Sequence, residues 1–151
     1  MANMTADVQR LSKNESNPIA YGVKGGVAAT IYKGGIILQD VSDSQYAQKH
    51  QSTITAAATD VFLGIAAEGV SVAASDADGA KTVRVWRKGV FAFAKGALTI
   101  GDRGKAVYAS DDHTITLTST NNLWIGYLVD VDSTYAWVEI DRAAGMLNAA
   151  T

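Results

Sequence analysis

The chain has 151 residues, no cysteine, one proline, fourteen glycines and a net charge of -2, with 48% hydrophobic but only 19% charged residues. That length fits one domain whose core closes without metal or disulfide, and the missing cysteines exclude disulfide scaffolds, thiolate zinc sites, iron–sulfur clusters and cysteine nucleophiles. The near-neutral balance argues against an electrostatic nucleic-acid binder, and no apolar run approaches the ~20 residues that span a bilayer.

In chain order, Met1 to Ala20 is polar, lacks the apolar core of a signal peptide and reads as an extended arm, since it carries too little apolar surface to offset the entropy of ordering alone. The expectation is a soluble domain made without a secretion signal. Val27 to Tyr32, Ile36 to Gln39 and Val61 to Ala67 read as strands, with Gly25-Gly26 and Gly34-Gly35 as turns. Ser42 to Gln51 is polar and reads as a short surface helix or a long loop. Lys81 to Arg87 alternates, with Val83 and Val85 on one face and Thr82, Arg84 and Trp86 on the other. Gly89 then reads as a bulge or bend before Val90 to Ala94.

Gly96 to Ile100 has room for one helical turn, and Lys105 to Ala109 is a short strand after the turn Gly101-Asp102-Arg103-Gly104. Thr114 to Thr118 alternates cleanly, with Ile115 and Leu117 facing one side. Trp124 to Val129 and Tyr135 to Ile140 form a hairpin around Asp130 to Thr134, and Ala143 to Thr151 is a small, weakly apolar tail. Many short strands separated by turn residues indicate an all-β fold, a small β-barrel or sandwich of short antiparallel strands with an extended N-terminal arm. The organisation is an arm over 1–20, a domain over 21–142 and a tail over 143–151.

The search for chemistry is mostly negative. His50 and His113 lie in polar stretches and read as solvated surface histidines. Asp76-Ala77-Asp78-Gly79 opens like a calcium loop, but position five is Ala80 and position twelve Arg87, so it is an Asx-rich turn. Gly101 to Lys105 has two residues between its glycines and Ala106 after the lysine, so it is no phosphate loop. Asn14-Glu15-Ser16 matches a glycosylation acceptor only formally. Asp111-Asp112-His113 is the sole motive for a small hydrolase, and no nucleophile elbow occurs. The expectation is no enzyme, no metal and no cofactor. Trp124 and Trp137 read as core, oligomer contact or sugar-stacking platforms, and Trp86 as exposed or at an interface.

The order of parts in the C-terminal half carries a resemblance. Phe62-Leu63-Gly64-Ile65-Ala66 is followed by the Asp76 to Gly79 turn, Val83-Arg84-Val85-Trp86, Lys88-Gly89-Val90-Phe91-Ala92-Phe93, Gly101-Asp102, Ala106-Val107-Tyr108-Ala109, Thr114-Ile115-Thr116, Ile125-Gly126-Tyr127 and the closing Ala136-Trp137-Val138-Glu139-Ile140. This resembles a family of small tailed-phage proteins, capsid decoration or cement proteins encoded beside the major capsid protein. Gly25-Gly26 through Leu38 also fits the family's opening, whereas Ser42 to Thr59 matches no known part of it. The resemblance implies a β-rich homotrimer on the outer surface of a virion, cementing subunits of the major capsid protein without catalytic residues, nucleic-acid contact or membrane. Low charge then reads as surface meant to be covered. The expected capsid or oligomer contacts are Met4, Val8 and Leu11 in the arm, Trp86 in the domain, and Met146 and Leu147 in the tail. A carbohydrate-binding sandwich on a phage particle, motivated by the three tryptophans, is the other reading.

Overall fold

A computed structural model of the chain describes residues 3–8, 10, 12–13, 18–56 and 60–141. Alternating apolar residues broken by turn residues favour strands over helices, and among the described residues there is no α-helix. The strands are β1 (Ser12–Lys13), β2 (Ile19–Gly22), β3 (Ala29–Ile31), β4 (Ile36–Gln39), β5 (Ala47–Lys49), β6 (Val61–Ala66), β7 (Val70–Val72), β8 (Thr82–Trp86), β9 (Lys88–Ala94), β10 (Ala106–Ala109), β11 (Ile115–Thr116), β12 (Leu123–Val131) and β13 (Tyr135–Asp141), with one 3-10 turn at Ile100–Asp102.

They form three antiparallel sheets. One has six strands in the order β1-β9-β13-β12-β10-β11, one has five in the order β2-β8-β6-β4-β5, and β3 pairs with β7 as a ribbon. A single parallel bridge, Val23 to Ala47, links the margins of the five-stranded sheet. None of the sheets is a closed barrel, so of the two architectures expected the sandwich is the one found.

The five-stranded sheet lies between two cores. Ile36, Leu38, Phe62 and Ile65 meet Phe91, Phe93, Ile125, Leu128 and Val138 of the six-stranded sheet. On its other side Ile37, Leu63, Val83 and Val85 meet Ile31 and Val72 of the ribbon. Ile36, Ile37 and Leu38 are consecutive and all 0% exposed, which a strand can satisfy only when both its faces are covered. Each such side chain contributes about 1.5–3 kcal/mol through burial.

Three register shifts adjust which residues point inward. They leave Leu63 unpaired against β4, Ile125 against β10 and Val129 against β13. Because of the shifts, Ile125 and Leu128, three residues apart, both reach the same core. Glycine makes two of these sites possible. A Cβ at Gly64 would lie 2.1 Å from the Trp86 carbonyl oxygen, and one at Gly126 would lie 1.9 Å from that of Glu139.

Several local readings change. Ser42 to Gln51 is neither a helix nor a loop throughout, because Ala47–Lys49 pairs with β4. The helical turn sits at Ile100–Asp102, overlapping the Gly96 to Ile100 span only at Ile100, where Thr99 and Asp102 cap it. Gly89 is no bulge: it pairs with Ile140 in an unbroken register, and the break falls at Arg87, where the chain leaves one sheet for the other. Only Ile115–Thr116 of the Thr114 to Thr118 run is strand. In the arm, β1 adds to the edge of β9, and Ile19 already pairs with Val85 of β8.

Gly64→Ala should therefore lower unfolding stability by about 2–4 kcal/mol, since backbone must move and φ is +144°. Gly101→Ala, which meets only Thr99 Oγ1 at 3.6 Å, should change it by less than about 0.5 kcal/mol. Urea unfolding of both variants checks this, and equal losses would refute the close-approach argument.

Candidate functional site

The arm lies along its own domain through a series of specific bonds. Met4 is 4% exposed, and its backbone N–H donates to Asp112 Oδ1 at 2.8 Å. The Asp7 carboxylate accepts from Lys33 N at 2.8 Å, and Val8 N donates to Lys33 O at 2.8 Å. Arg10 Nε donates to Gly34 O at 2.6 Å and Nη1 to Ala92 O at 3.3 Å, while its guanidinium carbon sits 4.2 Å from the centre of the Phe93 ring. Burial pulls the Arg10 pKa down to about 10, against the opposing pull of Asp112, and leaves it cationic at neutral pH. Of the expected contact residues, Met4 is thus seated inside its own chain and Val8 is half-buried on it. Leu11, Met146 and Leu147 lie outside the described residues.

Beneath the arm is a buried polar group of residues that the sequence pattern conceals. His50 is not at the surface: it is 0% exposed, because β5 delivers it under β4, and its backbone N–H donates to Ile36 O at 2.9 Å. Its Nε2–H donates to Ala109 O at 2.9 Å, which fixes the tautomer, since a carbonyl can only accept. Nδ1 has no partner among the described residues. Burial lowers the His50 pKa; the Ala109 bond and Asp111, Asp60 and Asp40 partly oppose it. His113 is half-buried.

Asp111 and Asp112, two of the three residues that motivated a hydrolase, have structural partners. Asp111 accepts from His113 N, Thr114 N and Thr114 Oγ1 at 2.9, 2.7 and 3.0 Å, the pattern of an Asx turn. Asp112 is held by Met4, and burial raises its pKa despite that N–H and the nearby Lys49. Asp60 Oδ1 accepts from Val41 N at 3.0 Å. The Asp76 to Gly79 segment is a turn, as expected: Asp76 accepts from Ala73 N, and Asp78 accepts from Gly25 N, both at 2.8 Å. Among the described residues, no three of His, Asp and Glu are grouped so as to hold a metal ion.

The outer face of the six-stranded sheet is the most distinctive surface. All three phenylalanines are inside, whereas Trp124, Tyr127, Tyr135 and Trp137 alternate with inward residues and stand outside. Trp124 and Tyr127 meet edge to face with centroids 5.6 Å apart, and Tyr135 and Trp137 do so at 6.1 Å. Trp124 Nε1 donates to Gly126 O at 3.1 Å, and Trp137 Nε1 donates to Asp132 Oδ2 at 2.9 Å. That indole bond, with the backbone N–H groups of Tyr135 and Thr134, holds the Asp132 carboxyl below its ordinary pKa. Glu139 lies between the two ring pairs as the cross-strand partner of Tyr127. Tyr127 is 45% exposed and Val129 44%, and Ile100 stands exposed on the 3-10 turn that packs against β12. Trp86 lies on the opposite side of β8 from Val83 and Val85, as expected, but packs half-buried against the first core.

The described residues thus form an all-β sandwich with a tied-down arm and an aromatic outer sheet face. The chain belongs to the phage cement protein family, which matches it over residues 41–137. Its role is accordingly structural, as a capsid-associated component of the virion. The match runs from the turn before β5 into β13. It therefore takes in the Ser42 to Thr59 segment that had no recognised counterpart, and leaves out Gly25 to Leu38, which had been assigned to the family's opening. No curated protein and no solved structure matches the chain.

The buried histidine predicts a pH response. The folded-state pKa of His50 lies below its ordinary 6.5, so the unfolded chain binds more protons and stability is lost as pH falls below 6.5. Asp112 acts in the opposite sense: its pKa is raised above 3.8, so the stability it lends is present below 3.8 and is lost as pH rises through the folded value. Thermal melts should show a midpoint that falls from pH 7 to pH 5. His50→Gln, which keeps a donor but cannot titrate, should remove roughly half or more of that fall. An unchanged slope would show that His50 does not carry it.

Proposed function

We propose that this cement protein sits on the outer surface of the head and bridges neighbouring subunits of the major capsid protein, as a homotrimer and without catalysis. The observation that carries this reading is the outer face of the six-stranded sheet. It carries two edge-to-face aromatic pairs around one carboxylate, Glu139, and aromatic enrichment marks the buried middle of protein–protein contacts. The mechanism is mechanical. A domain that touches two capsid subunits at once gains a high effective concentration for the second contact, and so resists their separation under internal pressure.

The arm over residues 2–17 is proposed as the second contact, a clamp onto neighbours. Its support is the kind of bonds that seat it: Met4 N–H on Asp112, Val8 on Lys33, and Arg10 between two carbonyls and the Phe93 ring. Any copy's arm can make these bonds on any copy's domain. Exchange between adjacent molecules therefore conserves them while linking the molecules.

The carbohydrate reading keeps one specific support, that Trp124 and Trp137 stand on the outer face and not in the core. A glycan array with no binding, or tryptophan fluorescence unmoved by sugars, would remove it.

Purified protein added to heads stripped of it should raise the temperature at which those heads release DNA, and sedimentation should give a trimer mass. Heads that release DNA at the same temperature with and without it would refute the cement mechanism. A chain lacking residues 1–17 uncovers Asp112 and the Phe93 edge, so its own melting midpoint should fall by roughly 4–8 °C, about 2 kcal/mol. It should also bind the heads more weakly than the full chain. Undiminished binding would refute the clamp.

A further inference from the structure

We propose that the outer face of the six-stranded sheet receives a basic side chain, lysine or arginine, of the capsid surface, seated on Glu139 against Tyr127. This deepens the cement reading and rests on it. Glu139 lies within β13, which is flanked by β9 and β12, and its cross-strand partners are Val90 and Tyr127. A carboxylate is a poor strand former, and sheets commonly set an opposite charge across from one. Neither directly opposed partner is cationic, and Lys88, diagonal to Glu139 through Val90, makes no ion pair with it among the described residues.

Three other carboxylates of this region have internal partners. Asp130 lies 3.8 Å from Arg103, Asp132 accepts from Trp137 Nε1, and Asp102 accepts from Lys105 Nζ at 2.8 Å. Glu139 has no hydrogen bond or ion pair among the described residues, and it is exposed beside the 45%-exposed Tyr127.

An ionised carboxylate only accepts, so whatever covers this face must bring donors. A purely apolar cover would strip water from the charge and return nothing, which selects against such partners. A cation answers the charge through a charge-assisted hydrogen bond, and the Tyr127 ring beside it offers a face for the same cation. Carboxylate and ring together are a receptor for a basic group set in an apolar surround.

The test uses heads of the phage that encodes this chain, stripped of the protein, with the full-length chain and its variants Glu139→Gln and Glu139→Lys. Glu139→Gln should weaken binding about tenfold, and Glu139→Lys about a hundredfold or more. Added salt should weaken the native chain more than Glu139→Gln. Both variants should keep the native melting midpoint within about 2 °C, because the position is exposed. If Glu139→Lys binds as tightly as the native chain, the proposal is overturned and the cement reading stands. If the native chain itself does not bind the heads, both fail. Loss of self-association or of glycan binding in Glu139→Lys, with head binding intact, would assign the face to a second copy or to a sugar and likewise overturn the proposal.

Discussion

The burial of β4 and β6, in the middle of the five-stranded sheet, on both faces is the constraint from which the rest of the structure follows. Ile36 and Leu38 point to one core and Ile37 to the other, so β4 has no side left for solvent. Toward the sheet's margin the cover thins, and Ile19, Ala20, Thr82 and Arg84 of β2 and β8 stay exposed. The ribbon of β3 and β7 closes one side, and the six-stranded sheet closes the other. The six-stranded sheet keeps a face with Tyr127, Val129 and Glu139 turned away from its core. It is the face proposed for docking, and the layer order leaves it uncovered.

The chain reaches that arrangement by changing sheets at Arg87, between β8 and β9. Val85 ends its contribution to one core and Phe91 begins its contribution to the other within a few residues. The arm then closes the flank where the two sheets meet, with Arg10 bonded both to Gly34 beside the five-stranded sheet and to Ala92 in the six-stranded one. A cation bonded to two carbonyls and packed on an aromatic ring stays charged even when buried, as its pKa of about 10 indicates. The arm is thus a strap across the sandwich in one molecule, and the same chemistry would join two.

Strands with short-range logic were legible in the sequence. Val83 and Val85 alternate with polar residues and are buried, and the Trp124 to Ile140 hairpin was placed within a few residues. What could not be read depends on partners distant in sequence. Nothing in Gln48-Lys49-His50-Gln51 marks His50 as buried; its burial comes from Ile36, fourteen residues back, and Ala109, far ahead. Met4 looks like an exposed arm residue until Asp112 is placed beneath it. The Gly89 reading failed for a related reason. A glycine between two apolar runs resembles a bulge, yet the bend was set at Arg87 by the division of the runs between sheets. The family order was readable because it depends on the sequence of turns and strands, which survives without any knowledge of contacts.

The register shifts connect the core to the surface. Under strict alternation Trp124 and Tyr127, three apart, would lie on opposite faces of β12. The extra residue Ile125 against β10 brings both to the outside, where their rings meet. That shift needs the strands to approach closely at Gly126, where any side chain would strike the Glu139 carbonyl. The same glycine therefore permits the packing of Ile125 and Leu128 inside and fixes Glu139 opposite Tyr127 outside. A substitution there that disturbed the core would disturb the aromatic outer face with it, so in this fold stability and the surface proposed for docking cannot be tuned independently along β12.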